Sequence, residues 1–154
     1  MHRALGIMSG EELWLFDLAN AGAVVPLTPL LGVPLTRQWF AGVANVRGAL
    51  YSVVDFADFC GNGPTRRDSN ARLLLIGAAQ GSALLVGRTL GLRNLEAMTE
   101  QASGHRSRLV WMGPDYRDEQ GQIWHSVQTE ALLTCPEFLS IGSQHEGGSA
   151  FTKG

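Results

Sequence analysis

The groups in this chain that could do chemistry are four histidines (His2, His105, His125, His145), two cysteines (Cys60, Cys135) and fourteen carboxylates spread along the sequence. Each histidine stands alone. No HExxH or GxSxG pattern surrounds one, and no two share the helical or hairpin spacing of a metal-ligand pair. His125 beside Ser126 is the nearest approach to a base and a nucleophile. Adjacent side chains on a strand point to opposite faces, so these two would not meet. GNGP, 61–64, has the glycines of a phosphate loop without a following lysine or a run of aligned N–H donors, and it reads as loop. Cys60 and Cys135 form no CxxC pair and are too few for a disulfide framework; they read as small buried apolar residues in a reducing cytoplasm. No catalytic residue, cofactor or metal is expected.

One charge sits in an odd place. GVANVRG, Gly42 to Gly48, sets Arg47 in a run of small and branched apolar residues just before the strand-like ALYSVVD. A guanidinium there has two readings. Its five donors could tie the carbonyls of neighbouring loops and fix how the layers of the fold meet, or the fork could be presented to a partner. Arg66 and Arg67, next to Asp68, read instead as a solvated turn.

The 154 residues suit one domain, which at this size buries about 68–70% of the surface its unfolded chain exposes. With 45% hydrophobic and 17% charged residues the chain should fold. Twelve basic against fourteen acidic residues leave a net charge of −2, so there is no positive excess of the kind a phosphate backbone selects. ALGIM is too short, and too soon interrupted by Glu11 and Glu12, for a secretory segment. No run approaches the ~18 apolar residues of a membrane span, so membrane association would come through a partner.

Apolar runs of four to seven residues between glycines and prolines predict a mainly β chain. Strands are expected near 3–9, 11–17, 40–46, 49–55, 72–78, 82–88, 107–112 and 122–128. ARLLLIGAAQGSALLVGR reads as a hairpin turning at Ala79, Gln80 and Gly81, and RLVWMGPDYRDEQGQIWHSVQ as a second with a longer polar loop. Leu73 to Ile76 are apolar on both faces, which suits a sandwich or barrel interior. Asp55 can cap a turn through Asp58, Phe59 and Cys60, and TEALLTCPEFLSIG is the best helical segment, in which Pro136 must either break the helix or open a new turn at its first position. Polar linkers are expected at 61–71 and 99–108. Of Trp39, Phe40, Tyr51, Trp111 and Trp124, most should be core, Trp39 least surely.

The segment Gly42 to Asp55 resembles the most characteristic motif of CheW-like domains, a G-[LV]-x-N-[LV]-R-G core running into an apolar strand and an aspartate. PLLGVPLTRQWFAG upstream and RLLLIGAAQGSALLVGRTLGLRNLEAM downstream resemble the flanking parts of that family. The end, WMGPDYRDEQGQIWHSVQTEALLTCPEFLSIG, looks most like the PilI-type adaptors of type IV pilus twitching systems. The resemblance spans about residues 4–142. It implies a mainly β fold of two small five-stranded, SH3-like barrels packed into a single domain over 1–154, with a flexible tail from about 142. It also implies a non-catalytic, cytoplasmic adaptor without cofactor, recruited to inner-membrane arrays. Its partners would be the cytoplasmic tip of a methyl-accepting chemoreceptor and the regulatory domain of a CheA-like histidine kinase.

Carried over residue by residue, Gly42, Asn45, Arg47 and Gly48 fall in the motif tied to coupling. Gly87, Arg88 and Leu90 to Leu92, with Leu90 and Leu92 as its apolar contacts, fall in the segment expected to line an inter-barrel groove for the receptor tip. The chain departs from the family at Asn20-Ala21-Gly22-Ala23-Val24-Val25, where many members carry an apolar-x-Glu pattern. Two other classes make distinct predictions. A small-molecule-binding β-barrel needs a deep closed pocket, and a hydrolase needs His125 and Ser126 to converge.

Overall fold

The computed structural model describes residues 3–17, 23–77, 81–101 and 109–142. Eleven strands form among them: β1 (Arg3–Ser9), β2 (Glu12–Asp17), β3 (Ala23–Pro26), β4 (Phe40–Val46), β5 (Ala49–Asp55), β6 (Arg72–Ile76), β7 (Ser82–Val86), β8 (Arg88–Asn94), β9 (Thr99–Gln101), β10 (Asp115–Arg117) and β11 (Ile123–Val127). They make a six-stranded sheet in the order β8-β1-β2-β11-β10-β9 and a five-stranded sheet in the order β3-β6-β7-β5-β4. The chain starts the first sheet, builds all of the second, then returns to the first at Gly87. β11 completes the first sheet by pairing parallel to β2, and β7 pairs parallel to β5 in the second.

Three apolar clusters follow from this layering. The central one joins the sheets: Ile7, Trp14 and Phe16 of the first meet Phe40, Val54, Leu74, Ile76, Leu84 and Val86 of the second. The outer face of the second sheet buries Val46, Val53, Leu73, Leu75 and Leu85, and the outer face of the first buries Ala4, Leu15, Leu95 and Trp124. Strand alternation therefore sends Leu74 and Ile76 inward and Leu73 and Leu75 outward, which is why β6 is apolar on both faces. Trp14, fully buried where the sheets meet, packs on Phe56 at 4.9 Å and Trp111 at 5.9 Å between ring centroids. Truncating it to alanine should cost roughly 3–5 kcal/mol.

The short helices form where expected. Asp55 caps α1 (Phe56–Phe59) by accepting from the Asp58 amide at 3.3 Å. α2 (Thr129–Leu133) ends before Pro136, which takes the first position of α3 (Pro136–Leu139), where its missing N–H costs nothing. The segment after α3 is strapped to the loop before β4: the Arg37 amide donates to the Ile141 carbonyl at 2.7 Å and its Nε to the Ser140 carbonyl at 3.1 Å.

The mainly β class agrees with expectation, but neither ladder closes into a five-stranded barrel. β8, β9, β3 and β4 remain edges, and only closure would remove them. The strand expected at 107–112 is not one: 107 and 108 lie outside the described residues, and 109–112 form a turn with a single bridge from Met112 to Val127. β8, β9 and β10 arise instead in segments read as strand tail, linker and polar loop. The tail expected from about 142 also falls outside the described residues.

Candidate functional site

β4 and β5 are joined by two residues only, Arg47 and Gly48, between the paired Val46 and Ala49. Both have positive φ, 55° and 88°, the requirement of a type I′ hairpin turn. The Asn45 side-chain oxygen accepts the Gly48 amide at 2.9 Å and braces the turn. Arg47 is exposed and makes no hydrogen bond or ion pair to any described residue. The expectation that it ties neighbouring loops across the junction of the two layers is therefore corrected: the hairpin is too tight to bury its own tip. Leu50 pairs with Asn45 across the ladder and so shares its face; it is 67% exposed. An arginine, an amide and an unburied leucine thus cluster at one end of the second sheet.

Gly42 acts differently. It is buried at a bulge opposite β5, with φ 133°, and a Cβ there would lie 2.6 Å from the Leu31 carbonyl oxygen. That close approach lets Leu31 exchange two backbone hydrogen bonds of 2.9 Å with Val43. The glycine shapes the edge of the sheet and is not itself a contact surface.

The second group of expected residues lies where the chain crosses between sheets. Gly87 donates its amide to Met8 at 3.1 Å, and a Cβ would meet that same carbonyl oxygen at 3.0 Å. Arg88 is exposed and lines a groove of about 470 Å³ with Met8, Asn62, Thr65, Arg66 and Asp68. Asp55 holds the far wall of this groove: 4% exposed, it accepts the Thr65 amide at 2.8 Å and the Thr65 hydroxyl at 2.5 Å. Leu92 pairs with the inward-facing Leu5, so it lies on the inner face of the first sheet, 53% exposed on the edge strand β8. Leu90 is the extra residue of the register shift between Gly91 and Thr89, and it packs on the outer cluster instead. The eight expected residues therefore divide into a hairpin tip (Asn45, Arg47, Gly48), a groove edge (Gly87, Arg88), two positions along the edge strand β8 (Leu90, Leu92) and a buried bulge (Gly42).

His125 and Ser126 do not converge. The imidazole Nδ1 is 2.9 Å from Asp115 Oδ1 and the ring packs on Trp14 at 4.9 Å, whereas the Ser126 hydroxyl donates to the Pro114 carbonyl at 2.5 Å. Trp124 is buried; its indole donates to Asp118 at 2.9 Å beneath the Arg93 guanidinium, which stands 5.0 Å from the ring centroid. That bond is the main cause lowering the Asp118 carboxyl below its usual range, helped by the Gln122 and Gln120 amides and opposed by desolvation. Trp111 and Phe40 are buried and Tyr51 half-buried, while Trp39 stays half-buried against Phe59. Among the described residues no group of side chains could hold a metal ion, and no helix is long and apolar enough to cross a membrane. The residue that sequence reasoning missed is Leu50; its place opposite Asn45 across a two-residue loop was the available signal.

Comparison with known proteins agrees with this fold. Residues 3–134 match the model of the CheW-like domain family. The scaffolding protein TtCheW from Thermoanaerobacter tengcongensis superposes with a TM-score of 0.70 at 15% identity, covering 82% of this chain and 83% of its own. No curated protein sequence matches. With the motif, the two-sheet fold and the family match in agreement over most of its length, the chain belongs to the CheW-like domain family, a family of non-catalytic scaffolds in chemotaxis-type signalling.

Proposed function

We propose that this protein couples the cytoplasmic tip of a methyl-accepting chemoreceptor to the regulatory domain of a CheA-like histidine kinase, in a two-component system that controls type IV pilus twitching motility. It works in the cytoplasm at inner-membrane receptor arrays. The observation that carries the reading is Arg47, held in solvent by a left-handed turn with no partner among the described residues. An exposed fork of five donors is the kind of side chain that anchors interfaces. The kinase docks on this hairpin end, and the receptor tip lies over the groove edge at Gly87 and Arg88 and along β8 to the exposed Leu92. Such contacts bury about 1,600 Å² in total, so each surface extends beyond these residues.

Co-purification with a CheA-like regulatory domain and with a receptor signalling tip tests the proposal. Arg47→Ala should lose the kinase fragment and keep the tip, with an unchanged circular dichroism spectrum. Arg88→Glu should do the reverse. Wild-type protein that retains neither partner sinks the coupling role.

A further inference from the structure

Independently of either docking surface, we propose that the cleft beside α1 and α3 binds a small organic cation, an ammonium whose nitrogen carries methyl or similar apolar groups. The cleft holds about 410 Å³ and is lined chiefly by Trp14, Trp39, Phe59, Leu109, Trp111 and Glu137. Small-ligand sites occupy about 300–1,000 Å³ and are mainly aromatic and apolar with a few polar groups.

The rings are inclined to one another. Trp39 and Phe59 meet at 5.0 Å and 85°, Phe59 and Trp111 at 6.1 Å and 44°. Trp14 and Trp111 are buried, so the half-buried Trp39 and Phe59 are the rings that reach the opening of the cleft, and the negative face of such a ring attracts a weakly hydrated cation. Among the described residues of the lining Glu137 is the one that is charged, and the Cys135 thiol donates to its Oε1 at 3.1 Å, which orients the carboxylate.

Charge and wall chemistry together select the ligand class. An anion meets Glu137 and the π faces with the wrong sign. A metal ion needs several oxygen ligands, and the described residues of the lining offer one carboxylate. A neutral apolar molecule would fit the walls but gain nothing from the acid. A methylated ammonium uses both, and the volume admits the whole molecule, which favours a free ligand over the tip of a partner's side chain.

The full chain is titrated with choline and with tetramethylammonium, followed by tryptophan fluorescence and calorimetry. Dimethylbutanol, the neutral carbon isostere of choline, and N-acetylarginine amide serve as comparison probes. Both ammonium probes should saturate, and the isostere should bind about tenfold more weakly than choline. Glu137→Gln should weaken choline about three- to tenfold without changing the isostere. Trp39→Leu should abolish saturation, and if that variant does not fold, the exposed Glu137→Gln still decides. Equal affinity for choline and its isostere, or no saturation by either ammonium, overturns the proposal. Tighter binding of the arginine amide also overturns it, assigning the cleft to a partner side chain. Neither failure touches the coupling role, which is read from kinase and receptor binding.

Discussion

Arg47→Asn separates a docking arginine from a structural one more cleanly than truncation does. Arg47 has φ 55° in a turn where both central residues are left-handed. The left-handed region costs an ordinary residue roughly 1–2 kcal/mol, and Asn, whose short side chain bonds locally, tolerates it. Among the described residues no hydrogen bond or ion pair of the guanidinium offsets that cost. Arg47→Asn should therefore raise stability by about 1 kcal/mol, a gain of roughly 2–4 °C in Tm for a domain of this size. Binding should move the other way. An arginine anchor at an interface is worth at least ~2 kcal/mol, so the affinity for the kinase fragment should fall about 30-fold. Calorimetric melting and titration on one preparation read both quantities. A Tm lowered by several degrees would show that the arginine is structural after all, and an unchanged affinity would remove it from the interface. Arg47→Lys should lose most of the binding too, because a point charge cannot replace a planar fork.

Other outcomes follow from the same geometry. Gly42→Ala places a Cβ against the Leu31 carbonyl at an unfavourable φ and should cost ~3 kcal/mol, read as a lowered urea midpoint with loss of exchange protection at Val43. Asp55→Ala removes the acceptor for Asp58 and Thr65 and should cost about 2–4 kcal/mol; native-state hydrogen exchange at the Thr65 amide should rise with it, and a protected amide would refute the anchoring role. Asp118 has a folded pKa below its ordinary 3.8, so its contribution is present above that value and is lost as pH falls through the lower folded one. Denaturation midpoints of Asp118→Asn between pH 5 and pH 2 should accordingly be flatter than wild type, and the Trp124 indole proton resonance should report the same titration.

The strands that carry their own pattern were legible. β6 and β7 are apolar on both faces because each lies between two clusters, and a run such as Leu73 to Ile76 announces this without any partner. β1, β4 and β5 were also readable to within a residue, and their spacing held more than was taken from it. Two strands ending at Val46 and starting at Ala49 leave room for a two-residue turn alone, so Arg47 had to be at a tip. Its apolar neighbours suggested a core because alternate residues of β4 do face one; the arginine lies just past the last of them.

β8, β9 and β10 were not legible, since short or polar segments become strands only when a neighbour offers them a ladder. Thr99 to Gln101 has no apolar alternation, and β8 follows β1 through a bulge at a glycine pair. The aromatic turn at 109–112 erred in the opposite direction: Trp111 and Met112 are apolar because they plug the central cluster, and burial needs no strand.

By itself the sequence determined the class, the family motif, the caps at Asp55 and Pro136 and the lack of a paired histidine and serine, because these depend on residue types and local spacing. Tertiary structure alone decided that the first sheet is assembled from β1 and β2 together with β8 to β11, and that Trp39, Phe59, Trp111 and Glu137 share one cleft. Those pairings join residues far apart in sequence, and only the packing of two sheets across Trp14 brings them together.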